Sequence, residues 1–154
     1  MAAETGSQAR RIVEITQDTE ANRRWLLAAE ALHREFRPNI PAGYADYMRR
    51  MFAEGAEMAV LLEGDAVCGI AVYRCYHTTL SGLRLYLDDL VTLEAKRSHG
   101  LGGELLEWCE AKARARGCAW FALGSGLTNS RGHTFYYRHG LPISSFGFSK
   151  KLAG

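Results

Sequence analysis

The spacing of hydrophobic and polar positions changes several times along the chain, and each change predicts a different element. Alternation at residues 11–15 is typical of a strand, whereas apolar side chains at steps of three and four after Thr19 indicate a helix. The predicted strands cover residues 11–15, 58–62, 67–73, 83–92, 118–123 and 144–152. The predicted helices cover residues 19–36, 44–54, 100–116 and 129–140.

The order of these elements is β-α-α-β-β-β-α-β-α-β, which predicts an α/β (α+β) domain with a mixed sheet and helices on both faces. The apolar strand 118–123 is expected to be buried beside strand 83–92. No internal repeat or long linker divides the chain, so residues 1–154 are interpreted as a single domain. Residues 1–9 are expected to be flexible.

Composition narrows the class of protein. Among 154 residues, 47% are hydrophobic and the formal net charge is only +2, which argues against nucleic acid or an anionic membrane as a partner. No apolar run approaches the ~20 residues of a membrane span. The four cysteines lack the close pairing of zinc ligands, so no metal is expected. A cytoplasmic setting with free thiols is the simplest interpretation.

The chemically informative segment is the turn between strand 83–92 and the following helix. Gly100, Gly102 and Gly103 lie at the predicted start of this helix, where free backbone N–H groups and the helix dipole favour an anion. Arg97 can add a positive charge against a phosphate. The spacing matches neither G-x-x-x-x-G-K-[ST] nor G-x-G-x-x-G, which excludes two common nucleotide-binding motifs.

What remains is R-x-x-G-x-G, which resembles the pyrophosphate-binding motif of the GNAT acetyltransferase superfamily. Asn129, Phe135-Tyr136 and Gly140 resemble a second segment of that family, and Tyr86-Leu87-Asp88-Asp89-Leu90-Val91-Thr92 resembles the central strand of its polyamine and related amine acetyltransferases. The resemblance implies the GNAT fold, a mostly antiparallel twisted sheet with splayed central strands. Ser98-His99 and Leu141-Pro142 depart from the family pattern.

The resemblance also implies site residues. Tyr136 aligns with the tyrosine that protonates the departing thiolate, with Tyr137 as the alternative, and Asn129 is either a helix cap or a ligand of the pantetheine arm. The acetyl-CoA co-substrate would be held by residues of the strand, the glycine turn and the last helix: Leu90, Val91, Thr92, Arg97, Ser98, His99, Gly100, Leu101, Gly102, Gly103, Asn129 and Tyr136.

Two adjacent acids lie on the same strand. Strict alternation predicts that Asp88 and Asp89 point to opposite faces of the sheet. By resemblance Asp89 is the better candidate for the cleft, where it would act as a second catalytic residue; a structural salt bridge is the alternative. The five histidines are scattered and none is singled out as a catalyst.

These observations predict an enzyme that moves acetyl from acetyl-CoA to a primary amine by direct attack, because no cysteine or serine has the setting of a nucleophile. The acceptor is expected to be a small-molecule amine or a protein amine. The alternative is an acyl-CoA-binding sensor or partner subunit without turnover. Phe146 and Phe148 in the last predicted strand would permit a homodimer.

Overall fold

The computed structural model describes residues 8–154, so residues 1–7 of the segment expected to be flexible lie outside it. The strands are β1 (Arg10–Ile15), β2 (Ala56–Glu63), β3 (Ala66–Thr78), β4 (Gly82–Thr92) and β5 (Trp120–Leu123). The helices are α1 (Glu20–Phe36), α2 (Tyr44–Ala53), α3 (Leu101–Ala115) and α4 (Ser130–Arg138), with a short 3-10 turn at Glu94–Lys96.

The strands form one sheet in the order β1-β2-β3-β4-β5. The first three pairings are antiparallel and β4–β5 is parallel. Gly64, with φ +61°, makes the tight turn between β2 and β3 that the sequence indicates. The mixed, mostly antiparallel sheet is therefore confirmed.

Apolar side chains form a core on each face of the sheet, because β2 and β3 are buried on both sides. On one face α1 and α2 pack through residues such as Leu26 and Met48 against Val60 and Ile70. On the other face α3 packs through Leu105 and its neighbours against β3 and β4. The prediction of helices on both faces is confirmed.

The parallel strands β4 and β5 diverge partway along their length. β5 pairs with β4 only from Arg84 to Leu87, where the register ends at Leu123. The remaining residues of β4, from 88 to 92, pair with β3 but not with β5. This splay leaves backbone groups on one edge of β4 without a neighbouring strand, as the GNAT resemblance implies.

Strand β4 also contains a bulge. Val72 of β3 faces Asp89 and Tyr73 faces Leu87, so Asp88 is an extra residue between two regular stretches. Asp88 contacts Arg74, which reaches the end of α2, and Asp89 contacts α1. The prediction of opposite faces is therefore wrong, because the bulge turns both carboxylates towards the α1–α2 side.

Two further expectations about strands are wrong. Residues 144–152 form no strand in the structure, and Phe146 and Phe148 are 79% and 96% exposed, because no neighbouring strand pairs with them. β5 is not a buried inner strand: it lies at the sheet edge, and Trp120 is 61% exposed. Apolar composition alone could not distinguish an inner strand from an edge.

Candidate active site

A cavity of about 180 Å³ lies where β4 and β5 separate. Leu87, Asp88 and Leu90 of β4 form one wall, and the segment from Leu123 to Gly126 forms the opposite wall. The end of α1 and the start of α4 complete the lining. Since one water occupies ~30 Å³ of liquid, this space corresponds to about six waters. A ligand here would lie beyond the carboxyl end of β5, beside the stretch of β4 that has no parallel neighbour.

Tyr136 of α4 lines this cavity and is half-buried. Burial raises the pKa of its phenol, and the nearby charge of Arg37 offsets part of that effect. Tyr137, the alternative acid, is 71% exposed and does not line the cavity. The phenol of Tyr136 is therefore protonated at neutral pH and available as a proton donor to a group in the gap.

Asn129 begins α4 as its N-cap. Its side-chain oxygen accepts the backbone N–H of Gly132 at 3.1 Å, and its amide donates to Ser125 Oγ at 3.2 Å. His133 Nε2 lies 2.7 Å from the carbonyl of Gly126. These bonds hold the segment after β5 against α4, so the capping role is present and Asn129 also lines the cavity.

The glycine turn lies at the N-terminus of α3. Gly100 has φ +77° and is the residue before the helix, a conformation that favours glycine. The first bond of this helix runs from the N–H of Glu104 to the carbonyl of Gly100, at 3.0 Å. The N–H groups of the preceding helical residues, including Leu101, therefore have no acceptor within the helix and are available to an anion.

Gly102 and Gly103 have a second structural reason to be glycine. A Cβ on Gly102 would lie 3.3 Å from Cζ of Phe135, and a Cβ on Gly103 would lie 3.1 Å from Nε2 of His139. Both contacts come from α4, which crosses close to the start of α3. The two glycines thus let the helix that carries Tyr136 approach the phosphate turn, a role that the motif alone did not indicate.

The glycine turn is held at His99 by an arginine from the start of the chain. Arg10 donates to the carbonyl of His99 at 3.2 Å, and the same guanidinium contacts Glu63 and Glu104. Lys96 also binds Glu63. We refer to these contacts, made by Arg10, Glu63, Lys96, His99 and Glu104, as the Arg10 strut.

The two residues before His99 differ in conformation. Arg97 is exposed, and its guanidinium lies 3.7 Å from Glu94. Ser98 has φ +71°, and within residues 8–154 it is the one residue other than glycine with a positive φ. By the resemblance, glycine is common at this place, so the departure noted in the sequence coincides with a backbone conformation that favours glycine.

Three residues of β4 continue past the bulge towards the turn. Leu90 lines the cavity, whereas Val91 packs into the α1–α2 core. Thr92 lies beside the start of α3, with its Cγ2 4.0 Å from the position of a Cβ on Gly102. The structure therefore brings the end of β4, the glycine turn and Tyr136 into one region.

Both carboxylate oxygens of Asp89 accept hydrogen bonds. Oδ2 accepts from Nε2 of His33 at 2.9 Å, and Oδ1 accepts from Nε of Arg37 at 2.7 Å. Burial acts to raise the pKa of Asp89, but the hydrogen bonds from His33 and Arg37 outweigh it, so the pKa is lowered. The side chain is 12% exposed and is not part of the cavity wall.

A buried hydrogen-bond chain continues from Asp89. Because the carboxylate can only accept, His33 donates from Nε2, and its Nδ1 lies 2.8 Å from the Tyr44 hydroxyl. Both rings are almost fully buried, and burial raises the pKa of Tyr44. The alternative of a structural salt bridge for Asp89 is thus present in the structure, and its catalytic role stays a prediction.

Sequence reasoning missed two members of this region, His33 and Arg74, and it placed Arg37 only in a loop, residues 37–47, expected to rim the acceptor side. His33 and Arg37 lie four residues apart, so both extend from the same side of α1 towards β4. Arg74 pairs with Asp88, with Nε 3.0 Å from Oδ2. A histidine among the apolar positions of α1 was the available signal, but nothing in the sequence indicated that its partner lay 56 residues away.

Residues 8–154 contain no cluster of three or more His, Cys, Asp or Glu side chains suited to a metal. None of the helices in that part of the chain is both long and apolar enough to span a bilayer.

The splayed sheet, the helix N-terminus at the glycine turn and the position of Tyr136 in α4 are the features that the resemblance to GNAT acetyltransferases implies. Residues 21–141 match the model of the Acetyltransferase (GNAT) family, and the chain belongs to that family. The curated relatives it matches are named N-acetyltransferases, and the match spans 60% of the length of the first of them.

Two relatives have similar sequences. One is an aminoalkylphosphonate N-acetyltransferase of Salmonella typhimurium, 30% identical over 92 residues; the match spans 60% of this chain and 60% of that protein. The other is the uncharacterized N-acetyltransferase YhdJ of Bacillus subtilis, 36% identical over 114 residues, which cover 69% of this chain and 78% of that protein.

Solved structures share the fold. The aminoglycoside N-acetyltransferase AAC(6')-Iy, in complex with CoA, superposes with a TM-score of 0.80 at 16% identity, over 94% of this chain and 95% of that one. An aminoglycoside acetyltransferase from an uncultured soil metagenomic sample, in complex with sisomicin, superposes with a TM-score of 0.77 at 12% identity, over 94% of this chain and 97% of that one. These likenesses confirm the GNAT fold.

Proposed function

We propose that the protein transfers an acetyl group from acetyl-CoA to the nitrogen of a primary amine. The observation that carries this proposal is the arrangement of three features around the second half of β4. The unpaired edge of β4 and Tyr136 border the region where β4 and β5 separate, and the N-terminus of α3 lies beside Thr92 at the end of β4.

At the donor end, the pyrophosphate would bind the free N–H groups at the start of α3, with Arg97 and Ser98 at the rim. The pantetheine arm would run along β4 as an added strand and pair with backbone groups of Leu90, Val91 and Thr92. An N–H near Leu90 would polarise the thioester carbonyl. The absence of β5 beside this stretch supports the arrangement, because the edge is open to a ligand.

In the chemical step the amine nitrogen attacks the thioester carbon directly, the C–S bond breaks, and Tyr136 protonates the departing thiolate. An ordinary amine, with a pKa of ~10.4, is protonated at neutral pH and cannot attack until that proton is removed. Its deprotonation costs roughly 4–5 kcal/mol at neutral pH. The buried and lowered-pKa carboxylate of Asp89 is a weak base, and we do not assign it this step.

The cysteines support direct attack rather than a covalent intermediate. Cys68 and Cys109 are buried, and burial raises the pKa of Cys109 to about 12. None of the four cysteines lines the cavity. Because the thiolate is the nucleophile, a thiol with a raised pKa is poorly suited to accept the acetyl group.

For the acceptor we propose a small-molecule amine. Relatives with this fold include enzymes named for aminoalkylphosphonates and aminoglycosides. A protein amine stays the alternative, and it would present a lysine side chain to the same gap.

A thermal-shift measurement with acetyl-CoA tests donor binding, and thiol release with a panel of amines tests turnover. At a coenzyme concentration 100 times Kd, the free energy of unfolding should increase by about 2.7 kcal/mol, or about 5–10 °C in Tm. No shift at millimolar acetyl-CoA would contradict the proposal. A clear shift without thiol release for any amine would favour the non-catalytic sensor or partner subunit.

We also propose that the protein forms a homodimer. Four apolar side chains after α4 are between 76% and 96% exposed in one copy: Ile143, Phe146, Phe148 and Leu152. β5 lies at the sheet edge and pairs on one side only. A monomer rarely leaves both an open edge and several large apolar side chains in water, so a second copy is the simplest partner for them.

A further inference from the structure

The two adjacent carboxylates of β4 have different surroundings. Both oxygens of Asp89 accept hydrogen bonds, and its side chain is 12% exposed. The side chain of Asp88 is 32% exposed and lines the cavity. Within residues 8–154, side-chain donors reach only Oδ2 of Asp88, through Arg74. Asp88 is therefore the carboxylate that a ligand in the cavity can contact.

The bulge is the cause of this difference. As an extra residue between the two regular stretches of β4, Asp88 has no partner in the register with β3. It lies at the point where β5 has already ended, so no strand covers it from the other side. A carboxylate placed there is open to the gap but still held by Arg74 at 3.0 Å.

Arg37 brings a positive charge to the same cavity. Its Nε binds Asp89 and its Nη2 binds the carbonyl of Asp88 at 3.2 Å. These two bonds leave Nη1 of the guanidinium without a side-chain or carbonyl acceptor among residues 8–154. The side chain is 51% exposed and forms part of the cavity wall. Arg37 is thus both fixed in position and able to donate to a ligand.

The charges at this end of the gap balance. Asp88 pairs with Arg74, and Asp89 pairs with Arg37, so two carboxylates face two guanidinium groups. A polycation would need an excess of negative charge here, and it would have to compete with both arginines. A molecule with one amine and one anionic group leaves the net charge of the site unchanged. Its amine can pair with Asp88 and its anionic group with Arg37.

We propose that the acceptor is a small zwitterionic amine, whose amine contacts Asp88 and whose anionic group, a carboxylate or a phosphonate, contacts Arg37. Asp89 is then a positioning residue, because it acts by fixing the guanidinium of Arg37. This inference rests on the proposed acetyl transfer. Arg37 Nη2 contacts the backbone carbonyl of Asp88 at 3.2 Å, so the two residues proposed to bind the ends of the acceptor are direct neighbours.

Four amines of similar length test the inference: β-alanine, 2-aminoethylphosphonate, propylamine and 1,3-diaminopropane. Initial rates of CoA thiol release would give kcat/KM for each. We expect the two zwitterions to exceed propylamine and diaminopropane by about tenfold or more, the contribution of one charge-assisted hydrogen bond. The comparison needs only the wild-type protein.

Variants then assign the preference to residues. Arg37→Gln should reduce the ratio of β-alanine to propylamine to near one. Asp89→Asn should reduce the same ratio, whereas a purely structural role would lower both rates together. Arg84→Gln is the matched control, since Arg84 binds the Tyr76 hydroxyl outside the cavity and should leave the ratio unchanged.

The possible failures are distinguishable. Efficient turnover of propylamine or diaminopropane at the expense of both zwitterions would overturn the acceptor class while acetyl transfer stands. A strong zwitterion preference that survives Arg37→Gln would overturn the role of Arg37. No thiol release with any of the four amines would contradict the transferase activity towards small amines itself.

Discussion

At the scale of single residues, Tyr136 is the side chain on which the proposed chemistry depends most directly. Tyr136→Phe removes the proton donor but keeps the ring, so kcat should fall about 100-fold with little change in KM for acetyl-CoA. Because burial raises the pKa of Tyr136, the wild-type phenol stays protonated through mildly alkaline pH. Thiol release measured between pH 6 and 10 checks both expectations.

Tyr137→Phe is the control for this variant, because Tyr137 is exposed and lies outside the cavity. It should keep the wild-type rate. Equal rates for wild type and Tyr136→Phe across the whole pH range would show that another group protonates the thiolate.

Asp89 should contribute to stability in a pH-dependent way. Its folded-state pKa is lowered, so the stabilisation is present above the unfolded pKa near ~3.9 and is lost as pH falls through the folded value. Asp89→Asn should reduce the free energy of unfolding by about 2 kcal/mol at pH 7, and the difference should shrink in acid. Urea unfolding at several pH values measures this.

Asp65→Asn is the matched comparison, since the side chain of Asp65 is 82% exposed and its ion pairs are at the surface. It should change stability by only a few tenths of a kcal/mol at any pH. A constant deficit for Asp89→Asn from pH 7 down to pH 2 would contradict the ion-pair explanation.

How far single residues could be predicted depended on whether their partners were local. The cap at Asn129 follows from helix chemistry within three residues, and the structure confirms it. His33 was visible among the apolar positions of α1, but its contact with Asp89 depends on how α1 packs across the sheet. Arg37 was expected only as part of a loop near the acceptor, and Arg74 had no signal in the sequence, because their ion pairs come from long-range contacts.

At the scale of elements, the start of α3 and the face of α4 act as one unit. Gly102→Ala would place a Cβ 3.3 Å from Phe135, so α4 must shift by a few tenths of an ångström. Since Tyr136 is the next residue, we expect kcat to fall several-fold while the fold survives. Enzyme kinetics and a thermal melt on the same preparation check this.

Gly100→Ala should have a different effect. Nothing lies within 4 Å of a Cβ there, but φ is +77°, so the backbone penalty is about 1 kcal/mol, or roughly 2–4 °C in Tm. Gly117→Ala, at the other end of α3 with φ +73°, has the same penalty far from the turn. Of the two variants, only Gly100→Ala should raise KM for acetyl-CoA. Equal KM values for Gly100→Ala and Gly117→Ala would argue against an anion site at the turn.

The periodic elements were predictable because their pattern spans many residues. Helices α1 to α4 and strands β1 to β4 lie within a few residues of the predicted ranges. Strict alternation failed inside β4, since one inserted residue changes the face of everything after it. Residues 144–152 have a strand-like pattern, but a strand also needs a neighbour, and sequence does not supply one within this chain.

At the scale of the whole molecule, the proposed homodimer can be tested in solution. Light scattering coupled to size exclusion should give twice the mass of one chain. Phe146→Ser combined with Phe148→Ser should shift the protein towards monomer, because these side chains lose their apolar contact area. Leu80→Ser, at a 92% exposed loop position, should leave the dimer intact. A wild-type monomer at 100 μM or above would rule the dimer out.

The family membership and fold were accessible from the sequence because three separated motifs occur in the right order. The gap between β4 and β5 follows from that fold and is present in the structure. The residues proposed to bind the acceptor could not be predicted from the sequence in the same way. Their charges come from α1, β3 and a bulge, and their balance appears only when the contacts are known.

The Arg10 strut has a consequence for protein engineering. The carbonyl of His99 is held by a guanidinium 89 positions earlier in the chain, and Glu63 links that guanidinium to Lys96. Residues 97–103 therefore depend on contacts from outside the segment and cannot be transferred alone to another protein. A graft of this segment into another scaffold would transfer the glycines without their anchor, so a designer would have to move β1 and the end of β2 as well.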